Sequence, residues 1–382
     1  MVKPRTQIAL FLPNLAGGGA ERVMANLAAG FADVGFVVDV VLVQAKGVFL
    51  SRLPANVQVV NLHAANAYTA LPRLVKYLRK ERPYALLSTL DLTNLVAILA
   101  KQTSRVATRV VVRIASTVSE QRRPFHKKKL EHIILSKIYP RADAIVAISC
   151  GTAKDLARYT GLNADRITTI YNPVITEELY QQAQLPLDHP WLVAEDVPVI
   201  LSVGRLNIAK DFFTLIRACA IVRQEKPVRL MILGEGEERS NLEALVRELG
   251  LSPDVQMPGF VENPFPYMAA SAVFVLSSRW EGLPGVLIEA LACGCPAVST
   301  DCPSGPSEIL DGGRYGHLVP VGDAETMARS ILSVLNGDVR KPPKSWLRQF
   351  EFEPIVHQYL AVMGLDRERS QRVEAERDRG IL

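Results

Sequence analysis

Residues 199–250 read VILSVGRLNIAKDFFTLIRACAIVRQEKPVRLMILGEGEERSNLEALVRELG, and two apolar runs in them, VILSV and RLMIL, are each followed by a loop and a helical segment. Each run is short and rich in aliphatic and β-branched residues, which is typical of a strand that is buried on both faces. Strands that alternate with helices form a parallel sheet that the helices cover. The stretch therefore predicts an α/β fold.

The same alternation extends in both directions along the chain. The further strand patterns are QIALFLPNL, FVVDVVLV, VQVVNL, YALLSTL, RVVVRIAS and ADAIVAIS on the N-terminal side, and DVQMPGF, AVFVLSS, CPAVST and GHLVPV on the C-terminal side. We predict two doubly wound, Rossmann-like domains that face a central cleft, because such sheets bind ligands in the crevice beyond the carboxyl ends of their strands.

The domain boundary is predicted at a break in this alternation. Residues 181–198, QQAQLPLDHPWLVAEDVP, are rich in prolines and acids, and a fresh strand pattern follows them at once. A chain of 382 residues also exceeds the size at which one core keeps growing. We therefore predict an N-terminal domain over residues 1–185, a C-terminal domain over 186–345, a helix over 346–365 that packs back toward the N-terminal domain, and a charged tail over 366–382.

Composition argues against several classes of protein. Hydrophobic residues make up 48% and charged residues 22% of the chain, which is an ordinary globular balance. The net charge of +5 is small for a dedicated nucleic-acid binder, and no run of about 18 apolar residues is present. The five cysteines are odd in number and lack CxxC spacing, so neither a disulfide framework nor a zinc site is supported. We expect a folded protein of the reducing cytoplasm.

A glycine run between the first strand pattern and the next helix is a candidate anion site. In NLAGGGAER, Gly17, Gly18 and Gly19 leave backbone amides bare where a helix dipole attracts negative charge. The run is not a dinucleotide fingerprint, because Arg22 stands in place of the third glycine, and no GK[ST] follows for a P-loop. A phosphate site is therefore favoured over NAD or ATP binding, and a tight turn without a ligand is the alternative.

Two basic residues follow the first strand of the second half. In SVGRLNIAKDF, Arg205 and Lys210 stand just past the strand, and two cations in such a place suit a diphosphate. Taken alone, they are also explained as exposed surface residues. Together with the glycine run, they favour a diphosphate site.

Two glutamates lie eight positions apart in EGLPGVLIEALACGCP, residues 281–296. Pro284 suits the first turn of a helix, which places Glu289 inside the helix on an apolar sequence. A carboxylate there is costly to bury unless it accepts hydrogen bonds, and two ribose hydroxyls would supply them. Glu281 precedes the helix, where it and the free amides can orient a sugar. The alternative makes Glu281 a helix-capping acid and Glu289 a member of an intrahelical ion pair.

The ordered set GGGAER, GRLNIAKDF, LGEGEER, GFVENPFPYMAASAVFVLSSRWEGLPGVLIEALACGCPAVSTDCPSGPSEIL and YGHLVPVGD resembles the GT-B glycosyltransferases of the family-four, glycogen-synthase-like superfamily. The resemblance spans nearly the whole chain. It implies a retaining transferase that takes a sugar from a nucleotide diphosphate sugar, with the nucleotide held by the C-terminal domain and the acceptor by the N-terminal domain.

The resemblance also implies roles for single residues. Glu281 would contact the transferring sugar, Glu289 would bind the ribose, and Arg205 with Lys210 would hold and stabilise the leaving diphosphate. The other expected donor contacts are Gly18 and Gly19 over the diphosphate, Phe260, Val261 and Asn263 beside the base, and Gly282, Leu283, Pro284 and Gly285 through their backbone. No D-x-D triplet occurs in the sequence, so we expect no metal cofactor.

One feature departs from the family. Many relatives carry a histidine near the transferring sugar, in the segment that here reads VVVRIASTVSEQRR and contains none. Arg113, Ser116 or Glu120 would take its place, and we assign Arg113 as a candidate catalytic residue. His63 follows another strand pattern, and a loop or core role explains it better than a catalytic one.

Residues 120–140, EQRRPFHKKKLEHIILSKIYP, combine basic and apolar side chains. Such a segment can lie on an anionic membrane surface, and a core-packed helix with a solvated basic face is the alternative. The resemblance favours membrane contact and a lipid-linked saccharide acceptor.

We therefore predict a cytoplasmic glycosyltransferase, peripheral on the inner face of the membrane. It would move a hexose or N-acetylhexosamine from a nucleotide diphosphate sugar, with UDP favoured over GDP, to a saccharide or lipid-linked saccharide in surface polysaccharide or glycolipid biosynthesis. A nucleotide-sugar epimerase of the same architecture and a non-catalytic nucleotide-sugar-binding protein are the alternatives.

Overall fold

The computed structural model describes residues 6–16, 18–119, 125–194 and 196–365. The chain divides into two compact units. The N-terminal unit comprises Met1–Pro173 and Phe352–Leu382, and the C-terminal unit comprises Val174–Glu351.

The N-terminal unit is built on a seven-stranded sheet in which all the neighbouring strands are parallel. Its strands are β1 (Gln7–Leu12), β2 (Val37–Leu42), β3 (Val57–Asn61), β4 (Ala85–Thr89), β5 (Arg109–Ile114), β6 (Ala144–Ala147) and β7 (Ile167–Thr169). The helices between them are α1 (Gly19–Asp33), α2 (Ala67–Glu81), α3 (Asp91–Ser104), α4 (Phe125–Ile138) and α5 (Cys150–Thr160). The strand order is β3-β2-β1-β4-β5-β6-β7.

The C-terminal unit repeats this plan with six parallel strands in the order β10-β9-β8-β11-β12-β13. They are β8 (Val199–Val203), β9 (Arg229–Leu233), β10 (Val255–Gly259), β11 (Val273–Leu276), β12 (Ala297–Thr300) and β13 (His317–Val319). The helices are α6 (Glu177–Ala183), α7 (Pro190–Val193), α8 (Phe212–Glu225), α9 (Arg239–Glu248), α10 (Phe265–Ala270), α11 (Gly285–Ala292), α12 (Pro306–Ile309), α13 (Ala324–Leu335) and α14 (Lys344–Leu347). The last helix of the described chain, α15 (Phe352–Val362), belongs to the N-terminal unit.

The alternation of side chains along β1 shows why this strand is apolar from Ile8 to Leu12. Ile8, Leu10 and Leu12 belong to a buried cluster that includes residues of α1 and α15. Ala9 and Phe11 belong to a second buried cluster, with residues of α2, α3 and α5. Successive side chains point to opposite faces, so a strand covered by helices on both faces needs apolar residues at every position. The predicted α/β class and its doubly wound sheets are confirmed.

The boundary between the units differs from the predicted one. The chain leaves the N-terminal unit after Pro173, earlier than the predicted limit at residue 185. The physical reason is that α6 packs against α10 in the C-terminal unit, where Asn263 Nδ2 also donates to the Gln182 carbonyl at 3.2 Å. The proline- and acid-rich break therefore belongs to the C-terminal unit and does not mark its start.

The return to the N-terminal unit also lies elsewhere than predicted, after Glu351 instead of residue 345. Trp346 of α14 donates its indole N–H to the Ile309 carbonyl at 2.9 Å, which holds this short helix in the C-terminal unit. In α15, Ile355, Tyr359 and other apolar residues enter the buried cluster around Ile8.

The strand order of each sheet identifies where a ligand is expected. The order reverses between β1 and β4 in the N-terminal unit and between β8 and β11 in the C-terminal unit. Loops that leave the carboxyl ends of two such strands run in opposite directions and open a crevice between them. The loops after β8 and β11 carry three of the predicted functional residues, Arg205, Lys210 and Glu281.

Candidate active site

Lys210 and Glu281 form an ion pair at the carboxyl ends of β8 and β11. This is the switch point of the C-terminal sheet, where its strand order reverses. Lys210 Nζ donates to Glu281 Oε1 at 2.6 Å, and the two side chains are only 20% and 14% exposed. The same carboxylate oxygen accepts a hydrogen bond from Ser278 Oγ at 2.7 Å. A charge-assisted hydrogen bond in a mostly buried place fixes both side chains more firmly than a surface pair would.

Backbone contacts hold the loops that carry this pair to each other. The Lys210 carbonyl accepts from Ser277 Oγ at 2.7 Å. The Arg279 amide donates to the Ala209 carbonyl at 2.8 Å. The loop after β8 is therefore joined to the loop after β11 by two hydrogen bonds close to the ion pair.

A second ion pair, between Asp211 and Arg279, supports the site, and it was not predicted from the sequence. Asp211 is 1% exposed, and its carboxylate lies 3.0 Å from Arg279 Nε and accepts from Thr214 Oγ1 at 2.9 Å. Asp211 also has a left-handed backbone with φ of 46°. In the sequence, only the position of Asp211 next to Lys210 pointed to a role in the site. No local pattern linked Asp211 to Arg279, which lies 68 residues away.

Arg205 lies in the same loop but is not part of this network. Its side chain is exposed, and within the described part of the chain no ion pair includes it. Leu206, the next residue, is fully buried and anchors the loop. The structure thus brings Lys210 and Glu281 together and leaves the Arg205 guanidinium in solvent.

The turn between Glu281 and Glu289 is held from one side by the loop after β12. Ser304 Oγ donates to the Gly282 carbonyl at 2.8 Å. Gly305 has φ of 94°, and a Cβ there would lie 2.6 Å from Pro284 Cδ, so only glycine permits this approach. Pro284 has no N–H and its carbonyl accepts from Leu287, so amide donors in this turn come from its neighbours.

Glu289 lies inside α11, as its sequence predicted, and is 3% exposed. The helix begins at Gly285, directly after Pro284. The first amides of a helix have no intrahelical partner, so Gly285 presents a donor at the start of α11. The ribose-binding role of Glu289 stays a prediction.

The three residues predicted to lie beside a base differ in their exposure and in their hydrogen bonds within the protein. Phe260 follows β10 and is 78% exposed, which leaves an aromatic face open to a ligand. Val261 is half-buried. Asn263 uses both ends of its amide within the protein, because Nδ2 donates to Gln182 and Oδ1 accepts from the Phe265 amide at 3.2 Å. Asn263 therefore shapes the turn that presents Phe260.

The glycine run lies at the start of α1, with Gly17 outside the described residues. A Cβ at Gly19 would meet no atom within 4 Å, so the backbone is open there. A Cβ at Gly18 would lie 2.2 Å from the Glu21 carboxylate. Glu21 thus already places a negative charge at this helix N-terminus.

Arg113, the candidate on the N-terminal side, is a buried cation that is 1% exposed. Its Nη1 donates to Thr89 Oγ1 at 3.0 Å and its Nη2 to Asn172 Oδ1 at 2.6 Å. The buried Tyr359 lies near it, and burial raises the pKa of that hydroxyl while the Arg113 cation partly opposes the shift. Arg113 therefore joins the end of β5 to the last residues before the unit boundary, and its catalytic role stays a prediction.

The other candidates on that side divide between exposed and undescribed positions. Ser116 is exposed, and Glu120 lies outside the described residues. His63 is an exposed loop residue with φ of 47°.

The basic and apolar segment over residues 120–140 is described in part. Its cations Arg122, Arg123 and Lys127–Lys129 lie outside the described side chains. In the second half of α4, Leu135 is fully buried in the N-terminal core, which agrees with a core-packed helix. Of the helices in the described residues, none is both long enough and apolar enough to cross a bilayer.

Two observations concern metal and thiol chemistry. Within the described ranges, no group of three His, Cys, Asp or Glu side chains is placed to hold a metal ion. Cys302, in the loop after β12, is buried, and this burial raises the pKa of its thiol to about 12. It is therefore a neutral thiol near pH 7.

Comparisons with known proteins agree with the two units. The family described as "Glycosyltransferase Family 4" matches residues 17–178, and the family described as "Glycosyl transferases group 1" matches residues 197–337. The N-acetylgalactosamine-N,N'-diacetylbacillosaminyl-diphospho-undecaprenol 4-alpha-N-acetylgalactosaminyltransferase of Campylobacter jejuni is 32% identical, over 89% of this chain and 93% of that protein. The lipopolysaccharide core biosynthesis glycosyltransferase LpsE of Rhizobium meliloti is 35% identical, over 56% of this chain and 63% of that protein.

Solved structures show the same fold. The apo lipopolysaccharide outer core galactosyltransferase WaaB has a TM-score of 0.72 at 20% identity and covers 94% of this chain and 99% of its own. HepE of Anabaena, in complex with UDP and glucose, has a TM-score of 0.72 at 19% identity and covers 97% of this chain and 100% of its own.

The chain belongs to the family-four glycosyltransferases of the GT-B fold. It is a glycosyltransferase of glycan biosynthesis, and the predicted family and enzyme class are confirmed.

Proposed function

We propose that this protein transfers a hexose or N-acetylhexosamine from a UDP-sugar to a lipid-linked saccharide, with retention of the anomeric configuration. The donor would lie at the switch point of the C-terminal sheet, with its diphosphate on Lys210. The observation that carries the proposal is the Lys210–Glu281 pair, held at 2.6 Å by loops from two adjacent strands.

The chemistry of Lys210 suits this role even while it is paired. An ammonium group has three N–H donors, and Glu281 accepts one of them. The remaining donors are available to phosphate oxygens. Negative charge develops on the diphosphate as it leaves, and a fixed cation stabilises charge where it appears. Arg205, exposed in the same loop, would add a second cation when a diphosphate is bound.

Glu281 would keep its place when the donor binds. Its Oε1 accepts from Lys210 and Ser278, and among the described residues no group donates to its Oε2. A sugar hydroxyl can donate to that second oxygen. The pair would thereby orient the sugar and its leaving group with one preformed contact.

We propose that the reaction needs no metal ion. Lys210 and Arg205 would supply the positive charge that a divalent cation supplies to other diphosphate sites. The sequence contains no D-x-D triplet that would hold such a cation. Attack on the face from which the diphosphate departs, with a diphosphate oxygen assisting deprotonation of the acceptor, would give retention.

The lipid-linked acceptor and the UDP donor are supported by relatives. The Campylobacter jejuni relative is named for transfer to a diphospho-undecaprenol-linked saccharide, and HepE was solved with UDP. A lipid-linked acceptor would bring the protein to a membrane surface, for which the basic residues of segment 120–140 are the candidates.

A transfer assay tests the proposal. The protein would be incubated with UDP-, GDP- and ADP-sugars and an undecaprenyl-diphosphate-linked saccharide, with and without EDTA, and the product's anomeric configuration read by NMR. We expect transfer from a UDP-sugar, unchanged by EDTA, with an α-linked product from an α-linked donor. A β-linked product would refute retention, and loss of transfer in EDTA would refute metal independence.

The same assay tests the assignment of the site. Lys210→Ala is expected to lower kcat/KM about 100-fold or more, the range for loss of one preorganised charge-stabilising group. Lys344→Ala removes an exposed lysine of the same unit and serves as the matched control. Equal activity of the two variants would move the diphosphate site elsewhere.

A further inference from the structure

The N-terminal unit contains a cavity that the proposed function does not use. It has a volume of about 690 Å³ and lies between the turn that joins α2 to β4 and the turn that joins α3 to β5. Both turns precede their strands, so the cavity is at the amino edge of the sheet. The expected ligand crevice of a doubly wound sheet is at the opposite, carboxyl edge.

Three arginines line this cavity, and among the described residues that line it none is acidic. They are Arg79, Arg82 and Arg105. Acids of the neighbouring turns are already paired, since Glu81 accepts from Lys80 and Asp143 from Lys101. In the described ranges no ion pair includes any of the three arginines. Among the described residues, these three like charges that line one cavity therefore have no acidic partner.

The backbone at two of these arginines is also unfavourable for a side chain. Arg82 follows α2 with φ of 46°, and Arg105 follows α3 with φ of 56°. The same left-handed position after α5 is occupied by Gly161, with φ of 73°. Glycine adopts this conformation without the Cβ clash, and it is the usual residue there. The chain has arginine at both positions that face the cavity.

The walls of the cavity are fixed by hydrogen bonds. Thr108 Oγ1 donates to the Pro83 carbonyl at 2.7 Å and joins the two turns. Arg79 Nη2 donates to the Thr103 carbonyl at 3.1 Å, which orients its guanidinium. Tyr84, 48% exposed, gives one wall an aromatic face. These hydrogen bonds hold the two turns that carry the arginines in place.

We propose that this three-arginine cavity binds a phosphate-bearing anion. Guanidinium groups match phosphate oxygens with paired hydrogen bonds, and the volume is in the range of small-molecule sites. The phosphate belongs either to a soluble compound or to a lipid headgroup at a membrane surface. The site does not rest on the proposed donor or acceptor of the enzyme.

The test measures pyrophosphate binding by isothermal titration calorimetry. Every protein carries Lys210→Ala, so that the candidate active site does not contribute. Arg82→Gly/Arg105→Gly is expected to lower pyrophosphate affinity at least about tenfold, since each arginine donates charge-assisted hydrogen bonds. It should also raise Tm, because glycine relieves the left-handed backbone. The control Arg158→Gln, an exposed arginine in the last turn of α5, should change neither quantity.

Sedimentation with vesicles distinguishes the two sources of phosphate. Vesicles of phosphatidylcholine with phosphatidylglycerol are compared with phosphatidylcholine alone. Loss of binding to anionic vesicles in the double-glycine variant assigns the site to a lipid headgroup, and loss of pyrophosphate affinity alone assigns it to a soluble phosphate. Folded parent and variant proteins that match each other in both measurements would overturn the proposal.

Discussion

Glu281 Oε1 accepts hydrogen bonds from two donors, the Lys210 ammonium and the Ser278 hydroxyl. Ser278 is fully buried, and its own carbonyl accepts from Thr300 Oγ1 at 2.6 Å. A buried hydroxyl that donates to a carboxylate restricts where that carboxylate can move. We therefore interpret Ser278 as a positioning residue for Glu281.

Ser278→Ala is expected to lower kcat/KM about tenfold, which matches the roughly 1.5 kcal/mol that a hydrogen bond to a charged group contributes. The loss should fall on kcat more than on KM. The change disturbs the orientation of Glu281 but removes no proposed contact to the sugar-nucleotide substrate. Steady-state kinetics measures both. Ser271→Ala is the control, since it removes a hydroxyl bonded to the Tyr267 carbonyl in the same unit. Equal losses in the two variants would contradict the role of Ser278.

Asp39, in the core of the N-terminal unit, makes stability depend on pH. It is 1% exposed and accepts from Tyr77 at 2.6 Å and Gln7 at 2.8 Å. Burial raises the pKa of its carboxyl above the ordinary value of 3.8, the hydrogen bonds from Tyr77 and Gln7 oppose the shift, and the charge of Glu81 adds to it. A folded pKa above the unfolded one favours folding below the unfolded pKa, and this contribution is lost as pH rises through the folded pKa.

Denaturant unfolding from pH 4 to 8 tests this prediction. The free energy of unfolding of the wild type, minus that of Asp39→Asn, should fall as pH rises through the raised pKa and then become constant. The subtraction removes the other titrating groups that the two proteins share. A difference that rises with pH, or that does not change, would contradict the burial of an ionisable carboxyl at this position.

The sequence located some of these residues and not others. The apolar run around Glu289 correctly predicted a buried carboxylate in a helix, because burial there follows from local periodicity. Lys210 and Glu281 were predicted to serve one site, and the structure brings them into contact. Asp211 and Ser278 were not singled out, because their partners are fixed by strand order and by a left-handed residue, which no local pattern shows.

At the scale of elements, α1 and α15 show how a distant segment joins the N-terminal core. Gly30 of α1 is where they meet, since a Cβ there would lie 2.6 Å from Val356 Cγ2 and 2.8 Å from Phe352 Cζ. The missing side chain lets the two helices approach closely. The predicted final helix therefore exists, but it begins later in the chain than expected and ends with Val362.

Gly30→Ala should destabilise the N-terminal unit by about 1–3 kcal/mol, the usual effect of an added group in a packed interior. Gly19→Ala in the same helix is the control, because a Cβ there meets no atom within 4 Å. Thermal unfolding compares the two. A Gly30→Ala variant that is as stable as the Gly19→Ala variant would contradict the close packing of α15 on α1.

At the scale of the whole molecule, the alternation of strands and helices was sufficient to predict two parallel sheets, and their strand orders were not. Hydrophobic periodicity is local, whereas the order β10-β9-β8-β11-β12-β13 depends on which strand the chain returns to after each helix. The boundary was misplaced for a related reason. A stretch rich in proline and acid indicates an exposed segment, and only tertiary contacts such as that of α6 with α10 assign it to a unit.

The switch point of the C-terminal sheet is the element of this architecture on which the proposed donor site depends. It places the loops after β8 and β11 side by side and so joins residues 71 positions apart, Lys210 and Glu281. We propose that Lys210 of this pair holds the diphosphate of the donor, while Glu281 orients the sugar.

Isothermal titration calorimetry of UDP into the wild type, Lys210→Ala and the control Lys344→Ala tests that claim most directly. We expect Kd to rise at least about tenfold in Lys210→Ala, because a charge-assisted contact to the diphosphate is lost, and to stay unchanged in Lys344→Ala. Circular dichroism confirms that each variant is folded. The same Kd for folded Lys210→Ala and the wild type would contradict the assignment of Lys210 and Glu281 as the donor site.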